Sequence, residues 1–298
     1  MNSMILALDA GGTFIKWALY DGNAFVKHGK IPTPSDRESF FAALKKALED
    51  AGEAVSGMTF SIAGTVDPET GYILQGGALQ YNNGTNLIED VRNRFGIKCA
   101  IENDARAAML AEMDYGSLRD AESGLVIVVG TAIGGAYEHH GEILRGYHNY
   151  AGEVSNIVLE GDLRDDMRTP NFALRCGMRY FLMRAEKELQ VQNLDGEVFM
   201  DLVRKGDETA VRLMKEYAKD FTKALFNIQL IVDPQRIVIG GGISRDETYM
   251  EYIRTAWKEI VGAFYLPYEG AEIVTAMNGN DANLLGAVAN YLRHLKAE

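Results

Sequence analysis

Asn103 and Asp104 stand where an apolar run, Cys99 to Ile101, gives way to a breaker-free stretch from Ala105 to Glu112 rich in Ala, Met and Leu. The pattern predicts a strand entering a helix whose first turn carries both polar residues. A carboxylate at such a junction lies where open α/β sheets place their ligands. Two roles fit Asp104 there. As a cap it accepts a hydrogen bond from the orphan amides of the first turn. As a general base it takes a proton from a bound hydroxyl. The second role needs groups that bind a reactant, and glycine-rich turns elsewhere are candidates.

Asp9-Ala10-Gly11-Gly12-Thr13 separates the apolar run Ile5 to Leu8 from the run Phe14 to Tyr20. This reads as a hairpin, either an ordinary tight turn or one whose backbone amides approach an anion, with Asp9 and Lys16 beside it. It lacks the Walker spacing. Leu125 to Val129 enters Gly130-Thr131-Ala132-Ile133-Gly134-Gly135, followed by a second run and the turn His140-Gly141. The layout of the chain's start is thus repeated, which suggests two related lobes around a shared cleft. Ile237 to Ile239 runs into Gly240-Gly241-Gly242, where the absence of side chains leaves room for a flat ring or a sugar, or marks a plain loop. Gly64 and Gly77 fall in long polar loops after the strand Met58 to Ala63, the kind of loop that carries substrate contacts. Glu153 reads as a ligand-binding carboxylate or a solvated loop charge.

Other elements supply the frame. Ser35-Asp36-Arg37-Glu38 reads as a capping box for a helix with Phe40, Phe41, Leu44 and Leu48 inward and Gly52 past its end. Leu87, Val91 and Phe95 mark a short helix closed by Gly96. Residues 160–176 read as polar and irregular, with Asp162, Arg164, Asp165, Asp166 and Arg168 solvated. Val211, Met214, Tyr217, Phe221, Leu225 and Ile228 trace a long buried helix face. A helix with Tyr252, Ile253, Trp257 and Ile260, a strand over 272–275 and a last helix from near Asp281 complete the chain. The expected lobes are 1–116 plus 281–298, and 117–280, with no low-complexity linker between them.

Bulk properties narrow the function classes. A chain of 298 residues suits two domains. A net charge of −12 argues against nucleic-acid or anionic-membrane surfaces, which require basic patches. Neither a signal peptide nor a membrane span is expected. Two cysteines, Cys99 and Cys176, make no disulfide framework, so a reducing cytoplasm and inert, packed thiols are expected.

In order and spacing, Ile5 to Thr13, Glu102-Asn103-Asp104, Gly130 to Gly135, Ala151-Gly152-Glu153 and Ile237 to Ser244 resemble the ROK family of sugar kinases and sugar-responsive repressors. The resemblance covers nearly the whole chain. It implies an α/β, two-lobed actin/hexokinase/Hsp70-like ATPase (ribonuclease H-like) fold with ATP and Mg²⁺ as cofactors. Position by position, it implies that Asp9 holds Mg²⁺ through water and that Gly11, Gly12, Thr13 and Lys16 form one phosphate loop. Gly130, Thr131, Gly134 and Gly135 would form a second, and Gly240, Gly241 and Gly242 the adenosine-side loop. Asn103 and Glu153 would bind sugar hydroxyls, and Asp104 would be the general base.

Departures from the family pattern sharpen the expectation. Asn156 stands where most members have a zinc-binding His, and around Cys176 the expected cysteine positions read Leu174 and Phe181. One cysteine cannot fill a tetrahedral site, so no zinc is expected. Met183 replaces a second sugar-binding Glu, and Ala132 and Ala136 replace usual glycines. These losses, with the Gly76-Gly77 loop, resemble a zinc-free branch that includes β-glucoside kinases. That branch implies a glucose or β-glucoside acceptor phosphorylated on its 6-hydroxyl, with N-acetylmannosamine or another hexose as the alternative, and a homodimer. The family's repressors carry an N-terminal helix-turn-helix for which there is no room before Ile5, so a sugar-sensing regulator would lack a DNA-binding domain. An actin-like or chaperone-type ATPase leaves Asn103, Asp104 and Glu153 unexplained.

Overall fold

The computed structural model describes residues 4–52, 54–160 and 170–297, which form two compact units. One comprises Met1–Gly116, Arg145–Ala151 and Asn280–Glu298, the other Ser117–Leu144 and Gly152–Gly279. Arg145–Ala151, placed by sequence in the C-terminal lobe, is thus part of the first unit.

The first unit opens with the expected hairpin, β1 (Met4–Ala10) and β2 (Phe14–Tyr20), and extends it with β3 (Phe25–Pro32). The third strand is mostly exposed and carries Lys27 and Lys30, as suits a sheet edge that must not recruit another chain. Helix α1 (Arg37–Ala51) is capped by Asp36, whose side chain accepts from Ser39 N at 2.9 Å, so the cap falls one residue after Ser35 and the expected Ser35–Glu38 box gives way to it. Beyond β4 (Val55–Ile62) the expected loops contain a small antiparallel sheet of β5 (Thr65–Val66), β6 (Tyr72–Gln75) and β7 (Thr85–Asn86). Strands this short carry no readable periodicity. Helix α2 (Leu87–Phe95), strand β8 (Lys98–Asn103) and helix α3 (Asp104–Tyr115) follow.

The main sheet runs β3-β2-β1-β4-β8, with β1, β4 and β8 parallel and the hairpin strands antiparallel. Its parallel strands are mostly buried on both faces, as they must be when both are covered. Leu6 and Leu8 of β1 pack with Phe40 and Leu44 of α1 and Val91 of α2, whereas Ile5 and Ala7 share a second cluster with Leu284, Val288 and Tyr291.

The second unit repeats this plan. Strands β9 (Ser123–Val129), β10 (Ile133–His139) and β11 (Glu142–Ile143) form its antiparallel half. Residues 160–176 were expected to be irregular. Asp162, Arg164, Asp165, Asp166 and Arg168 lie outside the described residues, but Phe172–Cys176 forms helix α4. Helices α5 (Met178–Leu189), α6 (Gly196–Arg204) and α7 (Glu208–Val232) lead to β12 (Arg236–Gly240), α8 (Glu247–Gly262) and β13 (Glu272–Thr275). The sheet order, β11-β10-β9-β12-β13, matches the first sheet strand for strand, with β9, β12 and β13 parallel. Phe172 and Phe221 (5.2 Å between centroids), and Phe181 and Tyr217 (4.7 Å), build an aromatic core in which the Tyr217 hydroxyl donates to Cys176 O at 2.9 Å. Burial raises the Cys99 and Cys176 thiols, which keeps them protonated and unreactive.

Helix α9 (Ala282–Ala297) then returns to the first unit and packs on α3. No described helix is long and apolar enough to cross a membrane.

Candidate active site

Because β1, β4 and β8 are parallel, their C-terminal ends share one sheet edge. Asp9, Ser61 and Glu102 are register neighbours across the three strands, and Ala10, Ile62 and Asn103 form the next row. The hairpin turn after β1 and the Asn103-Asp104 junction are therefore two strand spacings apart, about 10 Å.

At the junction the capping role falls to Asn103. Its Oδ1 accepts from Ala105 N at 3.0 Å and Arg106 N at 3.2 Å. Its Nδ2 donates to Gly64 O at 2.9 Å and to Asp104 Oδ1 at 3.1 Å. The Asn103 side-chain amide, expected on a sugar, thus also bridges Gly64 O and the neighbouring carboxylate. Asp104 is the first helical residue, and its Oδ1 also accepts from Ala105 N at 2.8 Å.

The loops carrying Gly64 and Gly77, expected to contact substrate, are locked together. Gly64 has φ +107°, and a Cβ there would lie 2.0 Å from Gln75 O and 2.7 Å from Gly77 N. Asn83 Oδ1 accepts from Gly76 N at 2.7 Å, while Arg37 ties the loop down through Asn82 Oδ1 (2.6 Å) and Thr85 Oγ1 (2.9 Å) and also pairs with Asp90. Gly64→Ala meets both backbone strain and a clash with rigid neighbours, about 1–3 kcal/mol from each. It should raise the KM for the acceptor at least tenfold by pushing apart the Gly64 and Gly77 loops, as steady-state kinetics would record.

The first turn has a supported backbone. Gly11 N donates to Phe14 O at 3.2 Å, Thr33 Oγ1 to Gly11 O at 2.6 Å and Thr33 N to Thr13 O at 3.0 Å, leaving Gly12 and Thr13 exposed at the tip. Lys16 on β2 brings its Nζ to 3.9 Å from Asp9 Oδ2 and is half-exposed. Asn283 Nδ2, on α9, donates to Asp9 Oδ1 at 3.1 Å. Burial raises the Asp9 carboxyl above its ordinary range, while the Asn283 bond and the Lys16 charge pull it back. If ionised Asp9 is needed, Asn283→Ala removes a stabiliser of the charged form and raises this pKa further. The acid limb of kcat/KM for Mg·ATP should then move to higher pH, and a pH–rate profile on both proteins checks the sign.

Asp9 also suits a hard cation. Magnesium favours few carboxylates and retains several waters. Beside Asp9 in the sheet, the buried Ser61 Oγ has no partner among the described residues and is placed to receive a hydrogen bond from such a water shell. Among the described residues no group of three or more His, Cys, Asp or Glu is arranged to hold a metal.

In the second unit the turn after β9 is Gly130-Thr131-Ala132. Its carbonyls are held by the start of α5, with Met178 N donating to Gly130 O at 2.9 Å and Arg179 N to Thr131 O at 3.3 Å. Gly134 and Gly135, expected in this loop, are instead strand residues of β10 paired with Val128 and Ile127. Gly135 serves packing there, since a Cβ would lie 2.6 Å from Val154 Cγ2. Gly240 ends β12, Gly241 and Gly242 follow, and Ser244 Oγ donates to Gly241 O at 2.8 Å. Glu153 is partly buried just before a single 3₁₀ turn, Val154–Asn156, which Ser155 ties to Ile133 O. Met183 on α5 is exposed.

The sequence reading missed Glu102, Arg145, Arg106 and Asn283. Glu102 is fully buried, and Arg145 donates to it through Nη2 at 2.6 Å and Nη1 at 3.2 Å. Arg106 Nη2 donates to Asn149 O at 2.7 Å and Ala151 O at 3.2 Å. The one available signal was a Glu on the apolar strand immediately before Asn103.

Comparison with known proteins agrees with this architecture. Residues 5–293 match the ROK family. A β-glucoside kinase of Listeria monocytogenes is 32% identical over 296 residues, spanning 97% of each chain. One of Klebsiella pneumoniae is 29% identical over 293 residues, spanning 96% of this chain and 95% of its own. The structure of a ROK family protein from Streptococcus pneumoniae in complex with sucrose superposes with a TM-score of 0.87 at 26% identity, covering 99% of this chain and 100% of that one. The paired sheets of like order and these matches give an α/β protein of the actin/hexokinase-like ATPase fold, and the chain belongs to the ROK family.

Proposed function

We propose that this protein transfers the terminal phosphoryl group of ATP to a sugar hydroxyl, the 6-hydroxyl of glucose or of a β-glucoside such as cellobiose. The observation that carries this reading is the Asp104 carboxylate, set by Asn103 at the sheet edge that also bears the Asp9 turn. The ROK family match and the two β-glucoside kinases among the relatives support the acceptor class.

Phosphoryl transfer is largely a matter of position and charge neutralisation. The exposed tip of the Gly11-Gly12-Thr13 turn and Lys16 receive phosphate oxygens, as does the Gly130-Thr131 turn, and the Gly240 to Gly242 segment lies against adenosine. Asp9 holds Mg²⁺ through water, and the ion supplies neutralisation of phosphate charge. Glu153 and the Gly64 and Gly77 loops hold the sugar. Asp104 accepts the hydroxyl proton as the oxygen bonds to phosphorus, a contribution of about 10²–10⁴ in rate, or about 3–5 kcal/mol. The reaction belongs to the cytoplasm, with a homodimer as the working form.

A coupled assay of ADP release with Mg·ATP across glucose, cellobiose, gentiobiose, fructose, mannose and N-acetylmannosamine tests the reading. Turnover should be fastest with glucose or a β-glucoside. A preference for N-acetylmannosamine would move the acceptor assignment, and no sugar-dependent ADP release from any of them would end the kinase reading.

A further inference from the structure

We infer that Arg145 is a positioning residue for Asp104, acting through Glu102 and Asn103. The inference rests on the reading of Asp104 as the base. Glu102 is the penultimate residue of β8 and is fully buried. Its Oε1 accepts twice, from Arg145 Nη1 at 3.2 Å and from the backbone amide of Asn103 at 2.8 Å. Its Oε2 takes the closer Arg145 bond at 2.6 Å. A forked guanidinium–carboxylate pair fixes the plane of the carboxylate, which a single bond would leave free to rotate. The fixed carboxylate holds the Asn103 amide, and Asn103 in turn holds Asp104 Oδ1 at 3.1 Å.

The segment bearing Arg145 is anchored at its far end too. Ala151 N donates to Arg145 O at 3.1 Å, closing Arg145–Ala151 into a strap. Arg106, two residues after Asp104, grips Asn149 O and Ala151 O. Two arginines therefore bind the strap to the strand and helix that flank the base.

A residue that acts only through Asp104 has nothing left to act on once the base is gone. Arg145→Ala should lower kcat by about ten- to a hundredfold while the ATP Kd, measured by calorimetry, stays within twofold. In the Asp104→Asn background the same change should cost less than a further twofold. Arg145→Lys, which keeps the charge but not the fork, should give an intermediate kcat with the same non-additivity, and it serves where the alanine variant does not fold. An equal fold-loss in both backgrounds, or wild-type kcat in a folded Arg145→Ala, would overturn the inference. Near-normal turnover of Asp104→Asn alone would instead remove the base assignment, whatever Arg145 does.

Discussion

Asp104→Asn is expected to lower kcat by about 10²–10⁴ while leaving ATP affinity unchanged. Asn is nearly isosteric and keeps an oxygen to accept from Ala105 N, so the start of α3 should hold. What disappears is the capacity to take a proton from a hydroxyl that is a very weak acid. The loss therefore falls on a step after binding, in kcat rather than in the KM for either substrate. The groups proposed to hold the phosphates, Gly11 to Thr13, Lys16 and Asp9, belong to the β1–β2 hairpin, two and three strands from β8 in the sheet. Steady-state kinetics paired with calorimetric titration of the nucleotide separates the two effects. Turnover near that of the wild type would remove Asp104 as the base.

The parts of this fold that are legible in sequence are those set by near neighbours. The β1–β2 hairpin, the caps at Gly52 and Gly96 and the buried face of α7 each follow from residues a few positions apart. Asn103 and Asp104 show the limit of local reading: two adjacent residues of capping type both suit the start of a helix, and only the backbone assigns the cap to Asn103. Gly134 and Gly135 fail differently. Glycine signals a turn in sequence, whereas both are paired in β10, where Gly135 allows the close approach of Gly152 and Val154. The pairs Arg145–Glu102 and Asn283–Asp9 were out of reach altogether, since they join residues 43 and 274 positions apart. A single chain shows a buried Glu and a helix-start Asn but not the partner that each requires.

Gly286→Ala should lower the melting temperature by about 3–5 °C, although alanine is the better helix former. In an exposed helix interior the change would stabilise by up to about 1 kcal/mol. Here α9 crosses α3 so closely that a Cβ on Gly286 would lie 1.7 Å from Ala107 O and 2.8 Å from Ala107 Cα. Both are backbone atoms, so relief requires the helices to separate, and overpacking of this kind costs about 1–3 kcal/mol and occasionally more. The clash wins, and about 2–3 kcal/mol converts to the stated shift for a protein of this size. Separation would also pull on what α9 holds at the sheet: Ala287 O accepts from Thr59 Oγ1 at 2.7 Å, Asn290 Nδ2 donates to Ile101 O at 3.0 Å, and Asn283 holds Asp9. Asp104 begins the helix that must move, so kcat should fall at least tenfold as well. Gly262→Ala, at the end of α8 with nothing within 4 Å of its added Cβ, is the control and should leave both quantities unchanged or raise the melting temperature slightly. Thermal unfolding of the pair decides the matter: if the two alanine variants melt together at or above the wild-type temperature, the α3–α9 crossing is looser than the Gly286 contact implies, and α9 does not fix the position of the base.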